Sequence, residues 1–518
     1  MTISQQIQKL VSEALKKLEI TLDPTDVSVD RPHDLSKGDY ATGVALRVAK
    51  EAGKSPLEVA VLIVGQITAA LPKEFQKVEV AGPGFINFYL SPGFVSEIVQ
   101  EILEAKDSFG KSKVFEGKRI VLDYTDPNPF KEFHIGHLMS NVIGEFLATS
   151  FEWGGADVKR VSYQGDVGRH VAVAIYGLRF LEESWPRDDA PITEKAAFLG
   201  KAYALGSSKT KREKNGKGEP LPLTPEQQAV EQEVQTINKK VYDRSDEEVN
   251  GIYDKGREWS LEAFEEIYET LGTKFDHYIF ESQTFTPGLE IVKKNIGKVF
   301  EESDGAIVYK ADERNPGQGL HTRVFINSQG LPTYEAKDLG LAIRKAERFN
   351  DRPIDHSFIV TASEQNDNFK VVIAAMKEVL PHDGNVTEHI GHGMLRFGAG
   401  MGKISSRTGN IITGRSLIED ARNEISEIMK KREIPEDQKD EITSTVAVGS
   451  IKFSILRQAI GRDIIFDPAK AFSIEGDSGP YIQYTHTRIN SILRKVKEKG
   501  IESGVYNIED SNGAEVST

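Results

Sequence analysis

Residues 119–137, RIVLDYTDPNPFKEFHIGH, join a short apolar run to the start of a helix and decide the fold class. Arg119–Tyr124 is typical of a buried strand, and the polar stretch 125–133 that follows is typical of a loop. Helical spacing then runs from Ile135 to Glu152, and Val158–Tyr163 predicts a second strand. A strand, a helix and a second strand in this order favour a parallel sheet that binds ligands at the carboxyl ends of its strands.

The composition excludes several classes of protein. The chain of 518 residues has a formal net charge of −14, which argues against a generally basic nucleic-acid-binding protein but not against a local basic patch. It contains no cysteine, so disulfides, cysteine-ligated zinc, iron–sulfur clusters and thiol nucleophiles are excluded. No apolar run approaches the ~20 residues of a membrane helix, and the N-terminus lacks the apolar segment of a signal peptide. We therefore expect a soluble cytoplasmic protein with no membrane partner.

Two histidines begin the predicted helix in the pattern His134-Ile135-Gly136-His137. Histidines three residues apart share one helix face, and Gly136 leaves room for a ligand against the backbone. A helix N-terminus suits phosphate, and imidazole N–H groups can stabilise a phosphoryl group that gains negative charge. Taken alone, the pattern also fits two structural histidines, or a zinc site that would need a third ligand.

A second constellation, MGKISSRTGN, occupies residues 401–410. Its cations, Lys403 and Arg407, could close over a polyphosphate and stabilise a leaving pyrophosphate. The hydroxyl groups among these cations belong to Ser405 and Ser406. An ordinary surface loop is the alternative for this segment taken alone.

Together the two constellations resemble the HIGH and KMSKS-like motifs of class I aminoacyl-tRNA synthetases, and the surrounding residues resemble the arginyl-tRNA synthetase family. The resemblance covers almost the whole chain. The further matches are Gly38–Thr42 (GDYAT), Gly82–Asn87 (GPGFIN), Asp123–Asn128 (DYTDPN), Gly165–Gly168 (GDVG), Tyr334–Asp338 (YEAKD), Ser363–Gln365 (SEQ) and Gly479–Arg488 (GPYIQYTHTR).

The resemblance implies an α/β fold with three domains. Residues 1–112 would form an α+β N-terminal tRNA-binding domain, because helical spacing near 3–18, 39–53 and 56–71 precedes two predicted strands. Residues 113–415 would form a split Rossmann-type parallel-sheet catalytic domain with a helical insertion at about 171–280. Strands are expected to return after the insertion at Ala306–Lys310, Arg323–Ile326 and Ser357–Val360.

Residues 416–518 would form a helical, all-α anticodon-binding domain. We expect this domain to be incomplete, because members of the family usually continue through several more helices. A truncated chain, a reduced domain and a separate chain that supplies the rest are all consistent with the sequence.

The function implied is a two-step ligation of L-arginine to tRNA(Arg). The arginine carboxylate would attack the α-phosphorus of ATP and release pyrophosphate. The 2′-hydroxyl of the terminal adenosine of the tRNA would then attack the arginyl-adenylate and release AMP. Mg²⁺ would accompany the ATP phosphates without dedicated protein ligands, and the family suggests a monomer.

The resemblance also assigns the amino-acid pocket. Glu281 and Asp338 would receive the guanidinium, whose forked donors suit carboxylates. Tyr334, four residues before Asp338, would share its helix face and pack against the guanidinium. The positions that match holders of the α-amino and α-carboxylate groups are Asp123, Asn128 and Gln365.

By the same resemblance, His134, Gly136, His137 and Lys403 are catalytic and bind ATP. The further ATP-binding residues would be Ile135, Ser405, Ser406 and Arg407. Ser406 stands where the general motif has a second lysine. Many arginyl enzymes carry a substitute lysine just before the HIGH motif, and Lys131 occupies that position, so we expect it to be catalytic and to contact the ATP phosphates.

Two other functions stay open on the sequence alone. The chain could be a synthetase-like paralogue that activates arginine for another acceptor, or a non-catalytic tRNA-binding protein. The complete HIGH motif, Lys403 and the predicted arginine pocket favour the ligase.

Overall fold

The computed structural model describes residues 2–32, 34–181, 185–211, 221–397, 413–430 and 434–501. Contacts divide the chain into two units, of which one is Met1–Gly110 with the C-terminal residues from Val496 and the other is Lys111–Lys495. Within the described ranges, no helix is both long and apolar enough to cross a membrane.

The first unit contains a three-stranded antiparallel sheet that packs against helices. Its core includes Ile63, Ile86 and Phe88, none of which is exposed. The helices and strands of this unit are α1 (Ile3–Lys16), β1 (Tyr40–Thr42), α2 (Val44–Val48), α3 (Pro56–Thr68), β2 (Phe75–Ala81), β3 (Phe85–Leu90) and α4 (Pro92–Ala105). The strand order is β1-β3-β2.

The helix predicted near residues 39–53 is wrong at its beginning. Tyr40–Thr42 instead form the edge strand β1, in which Tyr40 pairs with Phe88 and Thr42 with Ile86. Aromatic and β-branched side chains pack well on a pleated surface, and this pairing outweighs the helical spacing of the segment. Only the short helix α2 remains.

A five-stranded parallel sheet is the centre of the second unit, and it confirms the predicted fold class. Its strands, from one edge to the other, are β11 (Thr387–His392), β10 (His356–Ala362), β4 (Arg119–Tyr124), β5 (Asp157–Gln164) and β6 (His277–Phe280). Every residue of β4 is buried, which explains its continuous apolar run. The chain leaves β4 toward β5 but leaves β10 toward β11, and such a reversal opens a crevice at the carboxyl ends of the two central strands.

The helices that follow β4 in the chain include those of the insertion between β5 and β6. They are α5 (Ile135–Trp153), α6 (Arg169–Leu178), α7 (Ile192–Thr210), α8 (Pro225–Asp243), α9 (Glu247–Leu271), α10 (Glu281–Lys294), α11 (Ala311–Arg314), α12 (Tyr334–Arg348), α13 (Asn366–Val379), α14 (Pro381–Val386), α15 (Gly414–Met429), α16 (Glu436–Leu456), α17 (Pro468–Ala471) and α18 (Gly479–Glu498). The insertion comprises α6–α9, and His277–Phe280, which the prediction included in it, belong to the sheet as β6.

Two of the strands expected to return to the parallel sheet do not join it. They are β8 (Ala306–Tyr309) and β9 (Arg323–Ile326), which form a separate antiparallel sheet with β7 (Glu301–Ser303). A short apolar run predicts a strand but does not show which strand it will pair with. These strands pair with one another because strands that follow each other in sequence are usually neighbours in a sheet. A further parallel pair joins β12 (Leu395–Phe397) to β13 (Ile464–Phe466).

The helices after residue 413 share a hydrophobic core with the parallel sheet. Leu122 of β4 and Leu138 of α5 lie in the same cluster as Leu417 of α15 and Ile451 of α16. Each of these side chains is at least 98% buried, so the start of the predicted C-terminal region packs directly on the parallel sheet.

Close backbone contacts position the three helices that carry much of the predicted site, which are α5, α10 and α12. A Cβ on Gly144 of α5 would lie 2.2 Å from the ring of Tyr124, so the glycine lets α5 lie directly against β4. Between α10 and α12, a Cβ on Gly288 would lie 2.0 Å from the carbonyl oxygen of Ala336, and one on Gly340 would lie 2.0 Å from that of Thr284. These two helices therefore cross with their backbones in contact.

Candidate active site

A cavity of about 340 Å³ opens at the carboxyl ends of β4 and β10, in the crevice that the strand order creates. It brings together most of the predicted site residues, although they are far apart in the chain. Those that line it are Asp123, Asn128, His134, Gly136, His137, Glu281, Tyr334, Asp338 and Gln365.

The remaining predicted residues lie elsewhere. The ammonium of Lys131 is 5.0 Å from the centroid of the Tyr203 ring, and Lys131 lines a separate cavity of about 120 Å³. Ile135 does not line this cavity, and its partly buried side chain packs against the hydrophobic core. The residues outside the described part of the chain are Lys403, Ser405, Ser406 and Arg407.

His134 and His137 stack on each other at the N-terminus of α5, with ring centroids 3.6 Å apart. The backbone N–H of Gly136 donates to Nδ1 of His134 at 3.0 Å, and the N–H of His134 donates to Nδ1 of His137 at 3.3 Å. Because both Nδ1 atoms accept, these bonds assign the ring proton to Nε2 in each neutral imidazole. Each histidine therefore keeps one Nε2–H donor for a ligand.

Burial keeps both imidazoles neutral. It lowers the pKa of His134, and the nearby charge of Lys131 lowers it further. The pKa of His137 falls well below its usual value because the ring is buried and lies beside His134. The pair therefore donates hydrogen bonds near neutral pH without adding positive charge.

Gly136 lines the cavity and also makes room for the His134 ring. A Cβ at this position would lie 2.9 Å from Cε1 of His134, closer than real Cβ contacts. Because Gly136 has no side chain, the His134 ring can lie over the first turn of α5, where a Cβ of residue 136 would otherwise be.

The loop between β4 and α5 contains three residues with left-handed backbone conformations. The φ angles are 81° at Thr125, 47° at Asp126 and 66° at Phe130. Two bonds hold the loop: the Tyr163 N–H donates to Asp126 Oδ1 at 2.8 Å, and the Phe130 N–H donates to Ser260 Oγ at 2.9 Å. Non-glycine residues in this region cost about 1–3 kcal/mol each and cluster at functional sites.

Asp166 fixes the entrance of α10 and hence Glu281. Its buried carboxylate accepts the N–H of Ser282 at 2.9 Å and the hydroxyl of Ser282 at 2.7 Å. It also accepts Arg257 Nε at 3.0 Å and the Tyr253 hydroxyl at 3.1 Å. The aspartate of the GDVG segment therefore caps the helix that carries one of the predicted guanidinium partners.

Two lysines of α12 pair with carboxylates of the cavity, and sequence reasoning missed both. Lys345 Nζ lies 2.8 Å from Asp123 Oδ2, and Lys337 Nζ lies 2.6 Å from Glu281 Oε2. The other oxygen of Asp123, Oδ1, is buried and has no hydrogen-bond partner in the described part of the chain. Helical spacing from Asp338 could not have identified these pairs, because the partners are 222 and 56 residues apart.

Two carboxyl groups of the cavity resist ionisation in the absence of a ligand. Burial and the carboxylates of Glu335 and Glu281 raise the pKa of Asp338 well above its usual value. Burial and the neighbouring Asp123 do the same to the pKa of Asp126, which lines the cavity and was not predicted from the sequence. A cationic ligand would favour the charged form of both groups.

The cavity therefore has two chemically different ends. At the N-terminus of α5, the positive end of the helix dipole and two imidazole donors suit a phosphate. At the start of α12, Asp338 and Glu281 suit a cation with several donors. Among the described residues, no group of three His, Asp or Glu side chains is placed to hold a metal ion.

Comparisons with known proteins agree with this geometry. Residues 98–468 match the family model for the catalytic domain of class I tRNA synthetases (R), and residues 5–90 match that for the N-terminal domain of arginyl tRNA synthetase. The arginine–tRNA ligase of Clostridium acetobutylicum is 29% identical over 95% of this chain and 82% of its own length. That of Borrelia turicatae is 26% identical over 98% of this chain and 83% of its own.

Solved structures show the same fold. Arginyl-tRNA synthetase from Thermus thermophilus superposes with a TM-score of 0.72 and 22% identity, covering 99% of this chain and 84% of its own. Arginyl-tRNA synthetase from Plasmodium falciparum gives a TM-score of 0.67 and 19% identity, with 98% and 82% covered.

Proposed function

The chain belongs to the class I arginyl-tRNA synthetase family, and we propose that it ligates L-arginine to tRNA(Arg) through the cavity at β4 and β10. ATP is the energy source of this class of enzyme. One observation supports the proposal above all: a single cavity is lined at one end by the N-terminus of α5, which suits a phosphate, and at the other end by carboxyl groups. The two reacting groups, the arginine carboxylate and the α-phosphorus of ATP, would meet between these ends.

Each end has a distinct task in the first step. Asp338 and Glu281 would hold the guanidinium, with Tyr334 at the mouth of the cavity. At the other end, Asn128 and Gln365 would orient the α-amino and carboxylate groups, together with Asp123 or its neighbour Asp126. The fixed carboxylate could then attack phosphorus without a side-chain nucleophile, because orientation supplies much of the rate enhancement.

The HIGH segment would stabilise the charge that develops on the α-phosphate. The Nε2–H groups of His134 and His137 are donors fixed before the reaction, and the positive end of the α5 dipole adds to their effect. Lys403 and Arg407 are proposed to bind the leaving pyrophosphate, and Lys131 to contribute a further cation. Mg²⁺ is proposed to enter with ATP, held by the phosphates, and the active species is proposed to be a monomer.

Arginine-dependent exchange of pyrophosphate into ATP, measured with and without tRNA(Arg), tests the proposal. Exchange and charging of tRNA(Arg) are expected, with no exchange when lysine replaces arginine. Exchange without charging would instead favour a paralogue with another acceptor. Absence of exchange in both conditions would favour a non-catalytic tRNA-binding protein.

A further inference from the structure

A cation already occupies the guanidinium end of the cavity. The ammonium of Lys337 donates to Glu281 Oε2 at 2.6 Å, and the two side chains are only 5% and 6% exposed. It also lies 5.1 Å from the ring centroid of Tyr334 and 5.9 Å from that of Tyr242. Glu281 and Tyr334 are also the partners expected for the substrate guanidinium, so Lys337 contacts the same two side chains as the substrate would.

The position of this ammonium is set by the backbone. Glu281 is the first residue of α10, and Lys337 lies in the first turn of α12. Because Gly288 and Gly340 bring the two helix backbones into contact, neither helix can slide to separate the pair without leaving this packing. The ion pair is therefore part of the resting site.

Only one of the two carboxyl groups at this end has a basic partner. Lys337 compensates Glu281, whereas Asp338 has no lysine or arginine within ion-pair distance among the described residues. Burial and the carboxylates of Glu335, Glu281 and Asp123 raise the pKa of Asp338, and Lys345 offsets this effect in part. A substrate cation would favour the ionised form of Asp338 and pair with it.

Arginine and lysine would use this arrangement differently. The second oxygen of Glu281, Oε1, lies beside Gly165, which lines the cavity. A guanidinium presents five N–H donors in a plane, so it can donate to Asp338 and to this oxygen at once. A lysine ammonium concentrates its charge on one atom, and its approach to Glu281 brings it toward the like charge of Lys337.

We propose that Lys337 is a positioning and specificity-determining residue, which holds the Glu281 carboxylate in place for the guanidinium and repels the ammonium of lysine. The inference rests on the proposed arginine-binding function of this cavity. Lys337 acts on the substrate through Glu281 and through its own charge, and it takes no part in bond formation.

The test compares arginine and lysine as substrates for tRNA charging by the full chain and by three variants. Lys337→Met removes the charge, Lys337→Gln keeps a donor for Glu281 without the charge, and Lys337→Arg keeps the charge. In the Met and Gln variants, the arginine-to-lysine ratio of kcat/KM is expected to fall by roughly tenfold to a hundredfold, because a like charge a few ångströms away is removed. Lys337→Arg is expected to preserve the ratio.

A second readout separates this role from a structural one. Burial raises the pKa of Glu281, and the charge of Lys337 offsets this effect in part. Loss of Lys337 removes the offset, so the KM for arginine in Lys337→Met should rise more steeply on acidification than in the wild type. A structural role alone would lower the temperature of unfolding but leave the pH profile unchanged.

The outcomes are distinct. A wild-type chain that charges arginine, with an unchanged substrate ratio in a folded Met or Gln variant, overturns the role of Lys337 but not the proposed function. A wild-type chain that fails to charge arginine counts against the proposed function itself. If Lys337→Met does not fold, Lys337→Gln carries the test, because it retains the hydrogen bond to Glu281.

Discussion

The backbone N–H of Gly414 donates to the carbonyl oxygen of Phe133 at 2.7 Å, and this bond joins the start of α15 to the residue before His134. A bridge between His134 and Thr413 continues the contact. Thr413 is the first described residue after the range that contains Lys403. The HIGH segment is therefore linked through its backbone to the helix that follows the second segment predicted to bind ATP.

Gly414→Ala should impair the use of ATP. A Cβ at this position would lie 2.7 Å from the Phe133 ring and 3.3 Å from the Phe133 carbonyl oxygen. The backbone contact between Phe133 and Gly414 must therefore open. We expect kcat for pyrophosphate exchange to fall by about tenfold to a hundredfold, since a small misplacement of reacting groups has effects of this size. Gly251→Ala is the control, because a Cβ there has no neighbour within 4 Å. Equal kcat values for the two variants would contradict a role of the Phe133–Gly414 contact in the use of ATP.

Asp338→Asn should weaken the use of arginine far more than the use of ATP. The change removes the carboxylate that lacks a described basic partner and leaves the guanidinium without its strongest acceptor. Loss of one member of a buried charge pair costs about 2–5 kcal/mol, which lowers kcat/KM for arginine by roughly 30-fold to 5,000-fold. Glu347→Gln, an exposed change on the same helix, should have little effect. A wild-type kcat/KM in Asp338→Asn would remove Asp338 from the pocket.

Arginine binding should release a proton from Asp338. Burial and neighbouring carboxylates raise the pKa of Asp338 in the free protein, and a bound guanidinium favours its ionised form. The pKa of Asp338 therefore falls on binding, and affinity for arginine increases as pH rises toward the pKa of the free protein, then levels off above it. Isothermal titration calorimetry in buffers of different ionisation enthalpy measures the number of protons released. A binding enthalpy that is the same in all buffers would contradict the prediction.

Lys131→Ala should raise the KM for ATP. In the absence of ATP the ammonium rests over the Tyr203 ring, and its charge still lowers the pKa of His134 and His137. A phosphate at the N-terminus of α5 would attract this charge away from the ring, and loss of one such contact is expected to raise the KM roughly tenfold. Lys298→Ala removes an exposed lysine and serves as the matched control. Normal arginine activation by Lys131→Ala at low ATP would exclude the assignment.

The elements around the site were predictable because local patterns specify them. The apolar run of β4, the start of α5 at the HIGH segment and the position of β5 all follow from hydrophobic spacing, and the structure confirms them within about two residues. The start of α12 at Tyr334 likewise places Tyr334 and Asp338 one helical turn apart on the cavity wall.

Partners distant in sequence were not predictable in this way. Nothing near Asp123 indicates that Lys345 will neutralise it, since their contact depends on how α12 packs beside β4. The sequence predicted strands at 306–309 and 323–326 but not the sheet to which they belong. The pairing of a strand depends on which strand edges are free in the folded chain, and no local pattern shows this. The use of Gly136 depends on the rotamer of His134, which no local pattern specifies.

Between α10 and α12, Gly288 and Gly340 leave no side chain that could be compressed or turned aside. The relative position of the two helix starts, which carry Glu281 and Asp338, is consequently set by main-chain atoms, and it fixes the spacing that the cationic group of a ligand meets. A single ammonium in place of the planar guanidinium would reach only one of the two carboxylates, a difference of about 1–3 kcal/mol. Discrimination by the shape of the cationic group would therefore persist through many changes in the side chains that surround the substrate.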